Sequence, residues 1–305
     1  MLTLEKSNKR KIMLFTLAVC LLSSSAHALN GHYVPGVEGI AGPAVPPEGV
    51  YYRSYAVHYD IRAINDQNGN AIPGDNSGTV NALANRFVWI TGHQLLGADY
   101  GMEAIVPIQD TSLEFSGLGL DADDSGLGDV FLGPLVLGWH GNNWDAVAAA
   151  GIWLDTGDFD AANPASPGKG YRTTMLTLGG SWHLDEERRW SLSVLSRYEI
   201  KSRQDETNIR PGDSWLVEWG LSHRLSSGLE LGLVGYDAWQ LESDAASTGG
   251  NKAEKHAVGA EAGYFWPDIG LGMRGAFYHE YDAASAGGAP LPEGNLLRLQ
   301  LTKAW

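Results

Sequence analysis

Charged residues recur at every second position inside otherwise apolar segments of this chain. Arg197, Glu199 and Lys201 alternate with Tyr198 and Ile200. Glu218 and Arg224 fall on the parity opposite to Trp215, Val217, Trp219 and Leu221. Glu261 opposes Val258, Ala260, Ala262 and Tyr264, and Arg298 opposes Leu297, Leu299 and Leu301. Arg86, Glu103, Glu230, Arg274 and Glu280 extend the set. Successive side chains of a strand point to opposite faces, so each such segment has one charged and one apolar face. In a membrane barrel the charged faces would line the lumen. They could then select solutes as rings of charge, or fill a narrow lumen with ion pairs. About 12 strands is a width that permits either outcome.

Other residues offer weaker chemistry. Asp121, Asp123 and Asp124, and Asp155, Asp158 and Asp160, form two acidic runs. Their carboxylates could take divalent cations, but neither run has the mid-loop Gly and closing Glu of an EF-hand. A solvated surface, bridged to lipopolysaccharide by divalent ions, explains them as well. Ser181 lies near His183 and Ser222 adjoins His223, yet neither pair sits in a recognisable nucleophile setting. The nine His residues are scattered without metal-ligand spacing. The run GLGLDADDSGLGD opens a strand rather than a helix, which argues against phosphate binding. No enzyme activity, cofactor or metal is expected.

The elements that position these residues follow from the same alternation. The candidate strands are 50–62, 80–91, 98–109, 127–140, 144–155, 171–184, 188–201, 214–225, 229–241, 254–266, 269–281 and 294–305. Long polar connections near 63–79, 110–126, 156–170, 202–213, 242–253 and 282–293 alternate with short ones: GHQLLG, GNN, DEE, SSG and PD. The fold class is therefore all-β: a transmembrane antiparallel barrel of about 12 strands, with short periplasmic turns and long extracellular loops. A charge on the lipid face at mid-bilayer costs about 2–4 kcal/mol for Arg or Lys, which sends the charged faces inward. Two segments resist the sorting. In 127–140 either parity is apolar, and in 229–241 Asp237 falls on the lipid parity, which predicts a bulge or an early strand end.

Aromatic residues cluster at segment ends, as girdles at the two membrane interfaces require. Trp89, Trp139, Trp144, Trp182, Trp190, Trp266 and Trp305 lie toward the short turns, and Trp153, Trp215, Trp239, Tyr278 and Tyr281 toward the long loops. A soluble sandwich or lipocalin-like barrel would explain the alternation but not two belts and one-sided loop lengths.

Residues 1–28 read as a signal peptide. Lys6, Lys9, Arg10 and Lys11 precede an apolar run, Ile12 to Leu22, too short to span a bilayer as a helix, and Ala26-His27-Ala28 forms a cleavage site. The single cysteine, Cys20, lies in that run and follows Val19, where a lipoprotein signal needs a small residue. Residues 29–48 are rich in Gly and Pro, and read as an irregular periplasmic leader or plug; 49–305 is the barrel. The formal charge of −15 argues against nucleic acid as a partner. The expected partners are outer-membrane lipid and lipopolysaccharide, a small-molecule solute, and the barrel assembly machinery, which would read Leu297, Leu299, Leu301 and Trp305. Lys303 departs from the apolar residue usual in that signal.

The runs HYVPGVEGI, PPEGVYYRSYAVHYD, SGLGDVFLGPLVLGWH and LRLQLTKAW resemble, in this order, the outer-membrane family of the MetA pathway of phenol degradation. That family is distantly similar to fatty-acid and toluene channels. The resemblance covers the chain from residue 32 to its end. It implies an outer-membrane channel of a Gram-negative bacterium for passive uptake of small hydrophobic or aromatic compounds. Gly126, Gly128, Asp129 and Pro134 fall on family positions, and His32 to Ile40 would be the plug. Pro107 and Pro134 lie inside strands, remove ladder donors, and are candidates for a gap in the wall. Two alternatives stay open. One is a polar porin with Arg86, Arg197, Arg224, Arg274 and Arg298 as its selectivity track; the other is a structural or adhesive barrel without transport.

Overall fold

A computed structural model describes residues 31–245, 252–286 and 290–305. The expected signal peptide, 1–28, lies outside the described residues, as do parts of the loops after 241 and 284. Among the described residues, thirteen strands form one antiparallel sheet: β1 (Gly49–Asn65), β2 (Asn76–Leu95), β3 (Ala98–Phe115), β4 (Leu120–Leu127), β5 (Phe131–His140), β6 (Trp144–Trp153), β7 (Thr173–His183), β8 (Trp190–Lys201), β9 (Ser214–Arg224), β10 (Glu230–Gln240), β11 (Glu254–Trp266), β12 (Leu271–Ala284) and β13 (Leu291–Ala304). β13 returns to β1, with Tyr51 opposite Ala304 and Asn65 opposite Leu291, and closes the barrel. β4 and β5 both pair with β3, so they are two halves of one stave and the closed barrel has 12 staves. Closure leaves no sheet edge to meet hydrocarbon.

Alternation sorts the two faces as the sequence predicts. Along β8, Trp190, Leu192, Val194 and Ile200 are exposed toward lipid, while Ser191, Ser193, Leu195, Arg197, Glu199 and Lys201 are buried in the lumen. Most of the expected girdle aromatics face out, among them Trp89, Trp182 and Trp305. Trp153 and Tyr278 do not: both are buried and face inward, because each lies on the lumen parity of its strand.

Two further expectations need correction, and one ambiguity is resolved. The long connection at 110–126 is mostly ladder, since β3 runs to Phe115 and pairs with β4 through Ile108 opposite Leu127. The ambiguous parity of 127–140 comes from a bulge. Glu103 faces Gly133 but Gly101 faces Val136, so one extra residue sits at Gly133–Leu135. Phe131 and Gly133 therefore point in on one parity and Val136 and Gly138 on the other. Asp237 brings neither a bulge nor an early end: β10 keeps unbroken register with β9 and β11. Its carboxylate stays on the outer wall, where it accepts the Trp219 indole N–H at 3.1 Å and lies 2.7 Å from His256 Nδ1. Partnering of this kind lowers the cost of a polar group on that face.

Leu178 sits midway along β7 and is 66% exposed to the lipid side. Leu178→Arg is expected to lose about 2–4 kcal/mol of stability, read as a lower denaturant midpoint in lipid vesicles.

Candidate functional site

Residues 31–48 thread the lumen. His32 lies beside Thr173 at the extracellular end of β7, and Val45 packs against Gly138 near the periplasmic end of β5. The only regular element in the segment is one 3-10 turn, Gly39–Ala41. Gly and Pro deny it a helix or a strand, so its backbone N–H groups must find partners in the wall.

Wall carboxylates supply them. Glu199 on β8 accepts the Tyr33 N–H at 3.1 Å. Glu218 on β9 accepts the Glu38 and Gly39 N–H groups at 3.2 and 2.8 Å, and also the Tyr33 hydroxyl. Glu261 on β11 accepts the Ile40 N–H at 3.4 Å. Arg298 on β13, fully buried, donates to the Val37 carbonyl at 2.8 Å and to Glu261 at 2.7 Å. Glycines on the wall make room for the segment. A Cβ at Gly232 would stand 2.5 Å from Ile40 Cδ1, and one at Gly138 2.5 Å from Val45 Cβ.

The segment contributes one buried carboxylate of its own, Glu38. Glu38 Oε1 lies 2.5 Å from Arg86 Nη1 and 3.4 Å from Arg197 Nη2, and its Oε2 lies 3.7 Å from Arg53 Nη1. The Tyr55 hydroxyl donates to it at 3.3 Å. Arg86 also binds Glu103, with Nη2 2.5 Å from Oε2. The Arg197 guanidinium lies 3.9 Å from the centre of the Tyr33 ring, a cation–π contact.

At the extracellular end the segment is tied to the break between β4 and β5. His32 Nε2 lies 2.9 Å from Asp129 Oδ2, and its Nδ1 lies 2.9 Å from Thr173 Oγ1. A carboxylate only accepts, so Nε2 carries the proton. Asp129 also accepts the Gly157 and Lys169 backbone N–H groups, both at 2.8 Å. The His32 ring stacks on Trp153 at 5.5 Å and meets Tyr171 edge-on at 5.1 Å. Burial pushes the Lys169 ammonium below its ordinary pKa.

Pro107 lies opposite this break. Its carbonyl accepts the Gly128 N–H at 2.9 Å, so the side of Pro107 that lacks an N–H faces the interrupted stave. Pro134 sits in the β5 bulge, where its carbonyl accepts the Tyr100 hydroxyl at 2.9 Å. Between the break and the threaded segment lies a largely apolar cavity of about 90 Å³, lined among others by Val37, Val57, Ile105, Pro107, Gly128 and Trp153.

The structure thus brings eight of the nine charged candidates into one interior network: Arg86, Glu103, Arg197, Glu199, Glu218, Glu261, Arg274 and Arg298. Arg274 lies 2.5 Å from Glu230 and 3.0 Å from Glu261. Arg224 stands apart at the periplasmic rim, 54% exposed and 3.6 Å from Glu230. Reading the sequence missed Glu38, Arg53 and Tyr55. Arg53 and Tyr55 share the inward parity of β1 with Val57, so alternation could have found them; nothing local marks Glu38. Glu218→Leu removes three acceptor contacts to the threaded segment. It is expected to weaken the hold on residues 33–39 by about 3 kcal/mol or more. The check is planar-bilayer conductance, with a steady ionic current expected from the variant and none from the parent protein.

The profile of the family described as "Putative MetA-pathway of phenol degradation" matches residues 62–287. The COG4313 outer membrane channel from Pseudomonas putida F1 is similar in structure, with a TM-score of 0.76 and 17% identity over 90% of this chain and 100% of that one. The translocator domain of the autotransporter NalP from Neisseria meningitidis matches with a TM-score of 0.46 and 12% identity over 87% and 91%. The TodX monoaromatic hydrocarbon channel, as a deltaS2 mutant, matches with a TM-score of 0.44 and 10% identity over 87% and 91%. No curated protein matches. A closed barrel with an apolar outer wall and the family profile across most of the chain lead to one conclusion: the protein is a Gram-negative outer-membrane β-barrel that belongs to the family of the MetA pathway of phenol degradation.

Proposed function

We propose that this barrel conducts small hydrophobic or aromatic molecules passively across the outer membrane. In this reading residues 29–48 act as a plug, and solute leaves through the wall beside the β4–β5 break rather than down the lumen axis. The carrying observation is the apolar cavity that adjoins Pro107 and Gly128 while the axis beneath it is occupied by the threaded segment. Apolar walls bury an uncharged solute, and a wall outlet delivers it to hydrocarbon without crossing water. A polar pore needs guanidiniums that face water, whereas Arg86, Arg197, Arg274 and Arg298 each meet a carboxylate. The acidic outer loops contact lipopolysaccharide through divalent ions, and the terminal strand is read by the assembly machinery.

A Cβ at Gly128 would lie 3.0 Å from Pro107 Cγ and 3.4 Å from the Pro167 carbonyl. Gly128→Val fills the break and is expected to slow toluene uptake by whole cells about tenfold, a barrier increase near 1.4 kcal/mol. Heat-modifiable migration in gels verifies that the variant barrel is folded. Unchanged uptake in a folded Gly128→Val protein counts against the wall route, and a deletion strain with normal uptake counts against transport altogether.

A further inference from the structure

Three of the nine histidines stand on the lipid-facing parity of the wall. They are His58 on β1, His279 on β12 and His256 on β11. Each ring is pinned in the same way. Nδ1 of His58 lies 2.8 Å from Asn81 Oδ1, that of His279 2.9 Å from Asn295 Oδ1, and that of His256 2.7 Å from Asp237 Oδ1. Carbonyl and carboxylate oxygens only accept, so Nδ1 carries a proton in all three rings. The other ring nitrogen, Nε2, makes no hydrogen bond among the described residues, and His58 and His279 are exposed. His256 is half-buried between aromatic rings, edge-on to Trp239 at 5.6 Å and stacked with Tyr281 at 6.2 Å.

All three rings lie at one level of the membrane. On the periplasmic side of each, the next residue along the same face is apolar: Ala56, Phe277 and Val258. On the extracellular side of His58 stand Asp60 and Arg62, an exposed ion pair at 2.9 Å that belongs in water. From Val50, opposite Trp89 of the periplasmic girdle, β1 runs about 26 Å to His58, a rise of about 20 Å at the usual strand tilt, against about 25 Å for the apolar band of such barrels. The histidines therefore meet the head groups of the outer leaflet. In a Gram-negative outer membrane that layer is the phosphorylated glucosamine head of lipopolysaccharide.

We propose that His58, His256 and His279 form a lipopolysaccharide-binding tier on the outer wall, in which each Nε2 bonds to a hydroxyl or phosphate of the head group. A neutral Nε2 accepts from a sugar hydroxyl, and a protonated one donates a charge-assisted bond to phosphate. The pins serve this use. They fix which nitrogen is free, and they hold the ring before the lipid arrives, so less side-chain freedom is lost on binding. The amide nitrogens of Asn81 and Asn295 take no part in the pins and donate beside them. The contact is direct and needs no divalent ion, unlike one made through the acidic loops.

The test is titration of the full-length protein in detergent with diphosphoryl lipid A and, separately, phosphatidylglycerol, both in EDTA and read by native mass spectrometry. Lipid A is expected to bind about tenfold tighter than the phospholipid, as one or two additional hydrogen bonds would give. His58→Leu with His279→Leu should remove that preference. His223→Leu, on the same parity of the wall but opposite Trp190 at the periplasmic end, should preserve it. Asn81→Leu with Asn295→Leu keeps both imidazoles but unpins them, and is expected to weaken lipid A about threefold, which tests the tier even where the histidine variant does not fold. Heat-modifiable migration in gels verifies folding. Equal binding of the two lipids, or an undiminished preference in the folded histidine variant, overturns the tier. So does lipid A binding that appears only when EDTA is replaced by magnesium, which assigns the contact to the acidic loops. Toluene uptake is expected to be unchanged in every variant, so the transport reading is tested apart from the tier.

Discussion

Irregular backbone inside a barrel, with few partners of its own, is the constraint on which the rest of this structure depends. At membrane depth an unmet N–H costs several kcal/mol, so the segment from Gly31 to Glu48 persists in the lumen only because the wall answers it. Glu199, Glu218 and Glu261 accept its N–H groups, and Arg298 serves its carbonyl at Val37. Buried carboxylates in turn call for cations, which Arg274 and Arg298 provide. The charged parity on the later strands is thus the complement of one threaded segment.

The same segment couples the lumen to the wall. Asp129 belongs to the break between β4 and β5, and it holds His32 together with the backbone of the loop that follows β6. A stave interrupted at this point cannot complete its ladder with β3, and Pro107 ensures that β3 offers no N–H there. The interrupted stave and the upper end of the threaded segment therefore share one carboxylate.

Much of this was legible in the residues. Period-two alternation in β8, β9, β11 and β13 located the charged face because a lipid-exposed Arg is too expensive to tolerate. The two segments that defied sorting failed for different reasons. In 127–140 a one-residue bulge exchanges the faces midway, and a bulge is a property of pairing with β3 and β6 rather than of local composition. At Asp237 the strand is regular, and the anomaly is resolved by partners on β9 and β11. Trp153 and Tyr278 were assigned to a girdle by position, while their parity already pointed inward.

The sequence by itself determined the barrel, its membrane and its inside-out sorting, since these follow from periodicity, loop lengths and the cost of exposing charge to lipid. Only the tertiary structure decided what the charges are for. Glu38 has no periodic neighbours to betray it, and Asp129 and His32 are separated by three whole staves and half of a fourth. Ion pairing and hydrogen bonding across a lumen depend on distances of a few ångströms between strands remote in the chain, and those distances arise only when the sheet closes on itself.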